Sequence, residues 1–222
     1  QFIIEEWVDG VDLAKLLAWC QRNKRPIPPN IFLNIATQIC NGLEALHGRP
    51  GKSSGAQNVL PLGLRPSAVI LKSDNKIQLG SYGLSRSPTA LTQGSGSEPV
   101  PAPMEYLSPE QTHSGEQLGP SSDIFALGGL LFELQTGEPL FRAETSLQTI
   151  QRIRTAEITS HLPRIQESMP GLDKILTRAL SQNPEHRYQR AFVLREDLRG
   201  LMARYSFANI GVETAAFLEP IV

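Results

Sequence analysis

"SSDIFALGGLLFELQTG", residues 121–137, is the stretch from which the rest of the chain can be read. Its apolar residues fall nearly all round a 3.6-residue turn, which predicts a helix buried on every side. A helix of that kind needs other helices around it. Amphipathic segments near 145–157, 171–181 and 190–203 follow it. Upstream, Phe32, Ile35, Ala36, Ile39, Leu43 and Leu46 recur at three- and four-residue steps, one stripe on a helix that runs from Pro29 to near His47. Two short β-like runs, "AVILK" and "KIQLG", flank Ser73-Asp74-Asn75, where the Asp-Asn pair tolerates the positive φ of a tight hairpin. The expected fold is therefore mainly α, a helical bundle with a small β-hairpin. Two stretches break the pattern. "GRPGKSSGAQN" at 48–58 is rich in Gly and Ser and reads as a flexible surface insertion, and residues 87–105 drop into Ser, Thr, Gly and Pro as a mobile loop would.

Composition narrows the function classes. The 222 residues are 40% hydrophobic, enough for a substantial core, and 21 basic against 22 acidic residues leave a net charge of -1. That balance provides no general field for nucleic acid or an anionic membrane. Cys20 and Cys40 sit in apolar helical patterns without C-x-x-C spacing, so they read as buried thiols in a reducing, cytoplasmic compartment. His47, His113, His161 and His186 are scattered, with no i,i+4 pair and no cysteine nearby, and read as surface or capping residues rather than metal ligands. No apolar stretch approaches the roughly 20 residues of a membrane span. The opening "QFIIEEWVDG" begins directly on a strand-like run with no polar leader, as an excerpt from a longer chain would.

Six pieces in order, "WVDGVDL" (7–13), "LRPSAVIL" (64–71), "GSYGLSR" (80–86), "YLSPEQ" (106–111), "SSDIFALGGLLFELQTGEPLF" (121–141) and "NPEHRYQ" (183–189), resemble the landmarks of a bacterial eukaryotic-like (Hanks-type) Ser/Thr protein kinase. The resemblance covers the hinge and the larger, helical C-terminal lobe, and implies a hinge-like strand and linker at 1–10, a lobe at 11–203 with an activation-loop-like segment at 84–105, and a tail at 204–222. The N-terminal lobe of that family, with its glycine-rich loop and phosphate-pairing lysine, would lie outside these residues.

Carried over position by position, the family's catalytic loop H-R-D-L-K-P-x-N falls on Pro61 to Ala68. The aspartate that accepts the substrate's hydroxyl proton becomes Gly63, and the metal-holding asparagine becomes Ala68. The D-F-G triplet falls on Ser81, Tyr82 and Gly83, so a metal-gripping carboxylate becomes a hydroxyl. Three losses together imply a pseudokinase: no enzyme activity, no metal and no nucleotide cofactor. There is no Asp between residues 13 and 73 to take over, and the acids nearest in sequence are Glu44 and Asp74. The hinge departs too, with Glu5 at the gatekeeper position ahead of Glu6, Trp7 and Val8, whose backbone groups are the candidates for holding a planar ligand.

The family's frame persists where its chemistry does not. Glu110 and Arg187 match its ion pair, and Asp123 matches the buried acid at the head of the central helix. A protein partner is the implied ligand, with the N-terminal kinase-like lobe or neighbouring domains outside this sequence. Thr89, Thr92, Ser95 and Ser97 lie where activation-loop phosphosites occur in relatives, and are also ordinary loop composition. The apolar residues of 204–222, among them Phe207, Ile210, Val212, Phe217 and Leu218, either dock back or contact another module. The competing reading is an atypical Ser/Thr kinase, or another nucleotide-dependent transferase, with weak, metal-poor activity.

Overall fold

The computed structural model describes residues 8–48, 60, 62–80, 104–113 and 115–221. Most of the insertion at 48–58 and most of the segment 84–105 lie outside them, as do Glu5, Glu6, Trp7 and Ser81.

The chain begins with a short strand, β1 (Val11–Asp12), which runs directly into α1 (Leu13–Asn23). Asp12 ends the strand and caps the helix, its Oδ1 accepting the Lys15 N–H at 2.9 Å. α2 (Pro29–His47) starts on a proline, which gives up no intrahelical hydrogen bond in a first turn. β2 (Val69–Leu71) and β3 (Ile77–Leu79) form the expected hairpin, paired Val69 to Leu79 and Leu71 to Ile77, with Asn75 at φ +62° in the turn. The hairpin is bound to α2 by side chains. Asn34 donates to Asn75 Oδ1 at 2.9 Å, Gln38 donates to the Asn75 carbonyl at 2.9 Å, and the Ile77 N–H donates to Gln38 Oε1 at 3.0 Å.

β1 adds a third antiparallel strand, pairing Val11 with Leu71 and Asp12 with Ile70. The expected hairpin is thereby extended to three strands. Val8 to Gly10 are not in a strand and pairing starts at Val11, while residues 1–7 of the hinge-like segment expected at 1–10 lie outside the described residues. Two residues are too few for an alternation to register in sequence.

The buried helix of the opening stretch is α3 (Pro120–Thr136), in which every residue from Ser122 to Leu134 is buried. Around it and α2 stand α4 (Ser146–Thr155), α5 (Leu162–Ser168), α6 (Leu172–Ala179) and α7 (Ala191–Met202), with α2 against α7 and α3 against α6. Cys20 and Cys40 are free and buried, and burial pushes both thiols up, Cys20 to about 11. The tail docks back: α8 (Ile210–Leu218) lies on α2 with Phe217 and Leu218 buried. Trp19 meets Phe217 edge-on at 5.8 Å, and the Arg25 guanidinium lies 5.0 Å from the Phe217 ring centre. No helix among the described residues is long and apolar enough to cross a membrane.

Two glycines test this packing in opposite directions. A Cβ on Gly128 of α3 would meet Leu180 Cγ at 2.9 Å and Ala179 Cβ at 3.2 Å, neither of them the free end of a side chain. A Cβ on Gly200, exposed on α7, meets nothing within 4 Å. Urea unfolding should show Gly128→Ala destabilised by about 1–3 kcal/mol, less a helix-propensity gain of up to about 1 kcal/mol. Gly200→Ala should be stabilised by about 0.5–1 kcal/mol.

Candidate functional site, a loop held by a buried aspartate

The loop that resembles a catalytic loop runs from Leu62 into a 3-10 turn at Pro66–Ala68 and on into β2. Leu62 is left-handed, at φ +46°, a conformation that costs a leucine about 1–2 kcal/mol. The surroundings impose it. The Leu62 N–H donates to Asp123 Oδ1 at 2.8 Å, and His47 Nε2, at the end of α2, donates to Oδ2 of the same carboxylate at 2.9 Å. Asp123 is only 1% exposed. Burial pushes its carboxyl up, and the hydrogen bonds from His47 and Leu62 oppose that rise. One buried carboxylate thus ties α3, α2 and the loop together.

His47 corrects the reading that treated it as a surface or capping residue. It is 7% exposed and part of the site. The stripe that carries Ile39 and Leu43 puts His47 on the same face four residues on, and that spacing was the available signal.

Within the loop, Arg65 braces its own backbone: Nη1 donates to the Gly63 carbonyl at 3.1 Å and Nε to Ser67 Oγ at 3.1 Å. Ala68 is 4% exposed, and its carbonyl accepts from the Gly80 N–H at 2.8 Å, which brings the residue ahead of Ser81 against the loop. A small cavity beside Gly63 is lined by Leu64, Arg65, Tyr106, Gln111 and Asp123, among others. Its volume of about 20 Å³ is room for one water. Asp123 is its only acid among the described residues, and both Asp123 oxygens already accept hydrogen bonds. The other acids near in sequence are engaged elsewhere. Glu44 binds Arg190 and accepts the Phe192 N–H at 3.0 Å, and Asp74 pairs with Lys76 at 2.9 Å. Among the described residues no group of three His, Cys, Asp or Glu side chains is placed to hold a metal ion. Of the hinge candidates only Val8 is described, and it is half-buried.

The frame beside the loop is a second buried constellation. Arg187 Nη1 and Nη2 donate to Glu110 Oε1 and Oε2 at 2.8 and 2.9 Å. Its other N–H groups reach the carbonyls of Ser181 at 2.7 Å, Ser121 at 3.1 Å and Gln182 at 3.0 Å, and the guanidinium lies 4.8 Å from the Phe125 ring centre. Ser122 Oγ adds a 2.7 Å hydrogen bond to Glu110. Burial pushes the Glu110 carboxyl up, but the hydrogen bonds from Arg187 and Ser122 outweigh it and hold the group below the usual carboxylate range. A third contact carries no local sequence signal: Tyr106 donates to Glu133 Oε2 at 2.5 Å and joins the 3-10 turn at Met104–Tyr106 to the last turn of α3.

The sequence profile described as protein kinase domain matches residues 1–198. The chain belongs to the protein kinase family. It is 28% identical over 198 residues to the serine/threonine-protein kinase PknB of Mycobacterium leprae, covering 89% of this chain and 30% of PknB. It is 26% identical over 200 residues to PknL of Mycobacterium tuberculosis, covering 90% of this chain and 47% of PknL. It therefore spans less than half the length of these kinases. Among solved structures, the PknI kinase domain of Mycobacterium tuberculosis superposes with a TM-score of 0.61 at 22% identity, over 88% of this chain and 64% of that one, a likeness of fold. The mostly helical lobe with its small sheet is a kinase C-terminal lobe.

In this kinase-family lobe, Arg187→Ala would leave Glu110 buried and unpaired, at a cost of roughly 3–5 kcal/mol near neutral pH. The folded pKa of Glu110 is depressed, so the pair's contribution is present above the unfolded value of about 4.3 and is lost as pH falls through the folded value. Without the guanidinium, burial raises that pKa instead. Denaturant unfolding at about pH 7 and about pH 4 should therefore show the penalty of Arg187→Ala shrinking at the acid end.

Proposed function

We propose that this domain is a catalytically inactive, kinase-like (pseudokinase) module that acts in signalling or scaffolding by binding a protein partner. The observation that carries the proposal is Gly63: in a loop whose backbone is held by Asp123, the position that resemblance assigns to the catalytic base has no side chain. Ala68, assigned to a metal ligand, offers only a buried methyl. Phosphoryl transfer rests on positioning and on metal-assisted charge stabilisation, and neither residue can supply a base or a ligand. Glu44 and Asp74 are committed to Arg190 and Lys76, which supports the same reading. The proposal includes a cytoplasmic setting, which the two free, buried thiols support.

A second reading, weak and metal-poor phosphotransfer, is favoured by the relatives, which are named as kinases. Thermal unfolding of the full-length protein with ATP, alone and with Mg²⁺ or Mn²⁺, separates the two. A specific ligand at about 100 times its Kd stabilises by about 2.7 kcal/mol, and we expect no such shift. The triple variant Gly63→Asp, Ala68→Asn, Ser81→Asp should likewise transfer no labelled phosphate to a basic acceptor protein. General-base action is worth roughly 10²- to 10⁴-fold, whereas positioning supplies on the order of 7–11 kcal/mol, and the nucleotide-clamping groups of the family's N-terminal lobe are not among these 222 residues. Phosphate incorporation by the parent chain, abolished by an ATP-competitive inhibitor, would overturn the proposal.

A further inference from the structure

The second concave surface of interest lies at the other end of α3 from the Gly63 loop. Asp123 and Phe132 are nine residues apart on that helix, about 14 Å along its axis. There a groove of about 380 Å³ opens between the C-terminal end of α3, the loop that follows it, α4 and the start of α5. Three guanidiniums from three separate elements line it: Arg142 on the loop, Arg152 on α4 and Arg164 on α5. Against them stands one lining carboxylate, Glu138.

These cations are not used up within the fold. Arg142 pairs with Glu105 at 3.2 Å, yet its side chain is 69% exposed. Arg152 Nη1 donates to the Arg142 carbonyl at 2.5 Å, a neutral partner. Among the described residues no carboxylate lies within 4 Å of Arg152 or Arg164. In a chain whose net charge is -1, this is a local concentration of positive charge. One wall is apolar: Phe132, 3% exposed, meets the exposed His161 ring edge-on at 5.1 Å, with Pro139 and Leu140 beside them.

We infer that this groove is a docking site for an acidic peptide segment of a protein partner, with an apolar side chain against Pro139 and the His161 ring and carboxylates on the arginine rim. Guanidiniums bind carboxylates bidentately, and a basic rim around an apolar floor selects such a segment by charge and anchors it by burial. A single-stranded nucleic acid would need a series of exposed aromatic faces on which to stack successive bases, and His161 is the one exposed ring in this lining. A groove of this volume is also larger than an inorganic anion requires, and falls in the range that takes peptide or drug-sized ligands. The inference deepens the protein-binding reading by naming the partner's chemistry. It rests on none of the residues that line the Gly63 loop, so the ATP measurement and the groove measurement can fail separately.

The test is fluorescence anisotropy of the chain with a labelled nonapeptide of Glu residues interrupted by Leu and Phe, beside counterparts carrying Gln or Lys in place of every Glu. The acidic peptide should bind at least about tenfold tighter than the Gln peptide at about 50 mM salt, with the preference shrinking at about 300 mM. Arg164→Glu alone should weaken that preference, and Arg152→Glu with Arg164→Glu should reverse it toward the Lys peptide. Arg199→Glu, a change of an exposed arginine on α7, should alter affinity by less than about twofold. Equal affinity of the parent for acidic and neutral peptides, no binding of either, or an acidic preference retained in the double variant would each overturn the inference. Both substituted side chains are exposed, so circular dichroism should show the fold intact in every variant.

Discussion

A guanidinium taken fully out of water is tolerable only if every one of its donors finds an acceptor, and Arg187 imposes that condition on three separate parts of the chain. The Glu110 turn, the first turn of α3 and the carbonyls of Ser181 and Gln182 must all converge on one plane. None of these acceptors can drift without leaving a buried charge under-satisfied. The stacking of the guanidinium over Phe125 then fixes the rotation of α3, and that rotation determines which of its residues face the loop and which face α6.

Asp123 uses that fixed rotation for a different end. It accepts from the backbone of Leu62 and from His47, and so dictates a loop shape that leucine would not choose for itself. The left-handed turn at Leu62 is held by α3 and α2 through hydrogen bonds from outside the loop. The side chains of Gly63 and Ala68 take no part in holding the loop.

What could be read in advance follows from how far each signal reaches along the chain. The span of α2 from Pro29 to His47 and the burial of α3 are periodic patterns over many residues, and both were legible. The turn at Asn75 was legible from its own chemistry. β1 was not, because two residues carry no period and its pairing with Leu71 is set by the hairpin. The meeting of Glu110 with Arg187, 77 residues apart, came from resemblance alone, since nothing local in either segment announces the other. His47 was misread because a histidine at a helix end is usually solvated, and only its place on the apolar stripe argued otherwise. The tail's two alternatives could not be separated in sequence; Phe217 on Trp19 decides for docking among the described residues.

The all-round burial of α3 also governs how the molecule can come apart. Amide hydrogens on an amphipathic helix exchange when its outer face frays, but those of Ile124 to Leu134 have no outer face from which to start. With α2 and the Asp123 loop at one end and α6 along its side, α3 can be exposed only when those neighbours leave together. Its slowest-exchanging amides should then report the free energy of global unfolding, while those of α4, with its exposed outer face, exchange through smaller openings that leave the central helix in place.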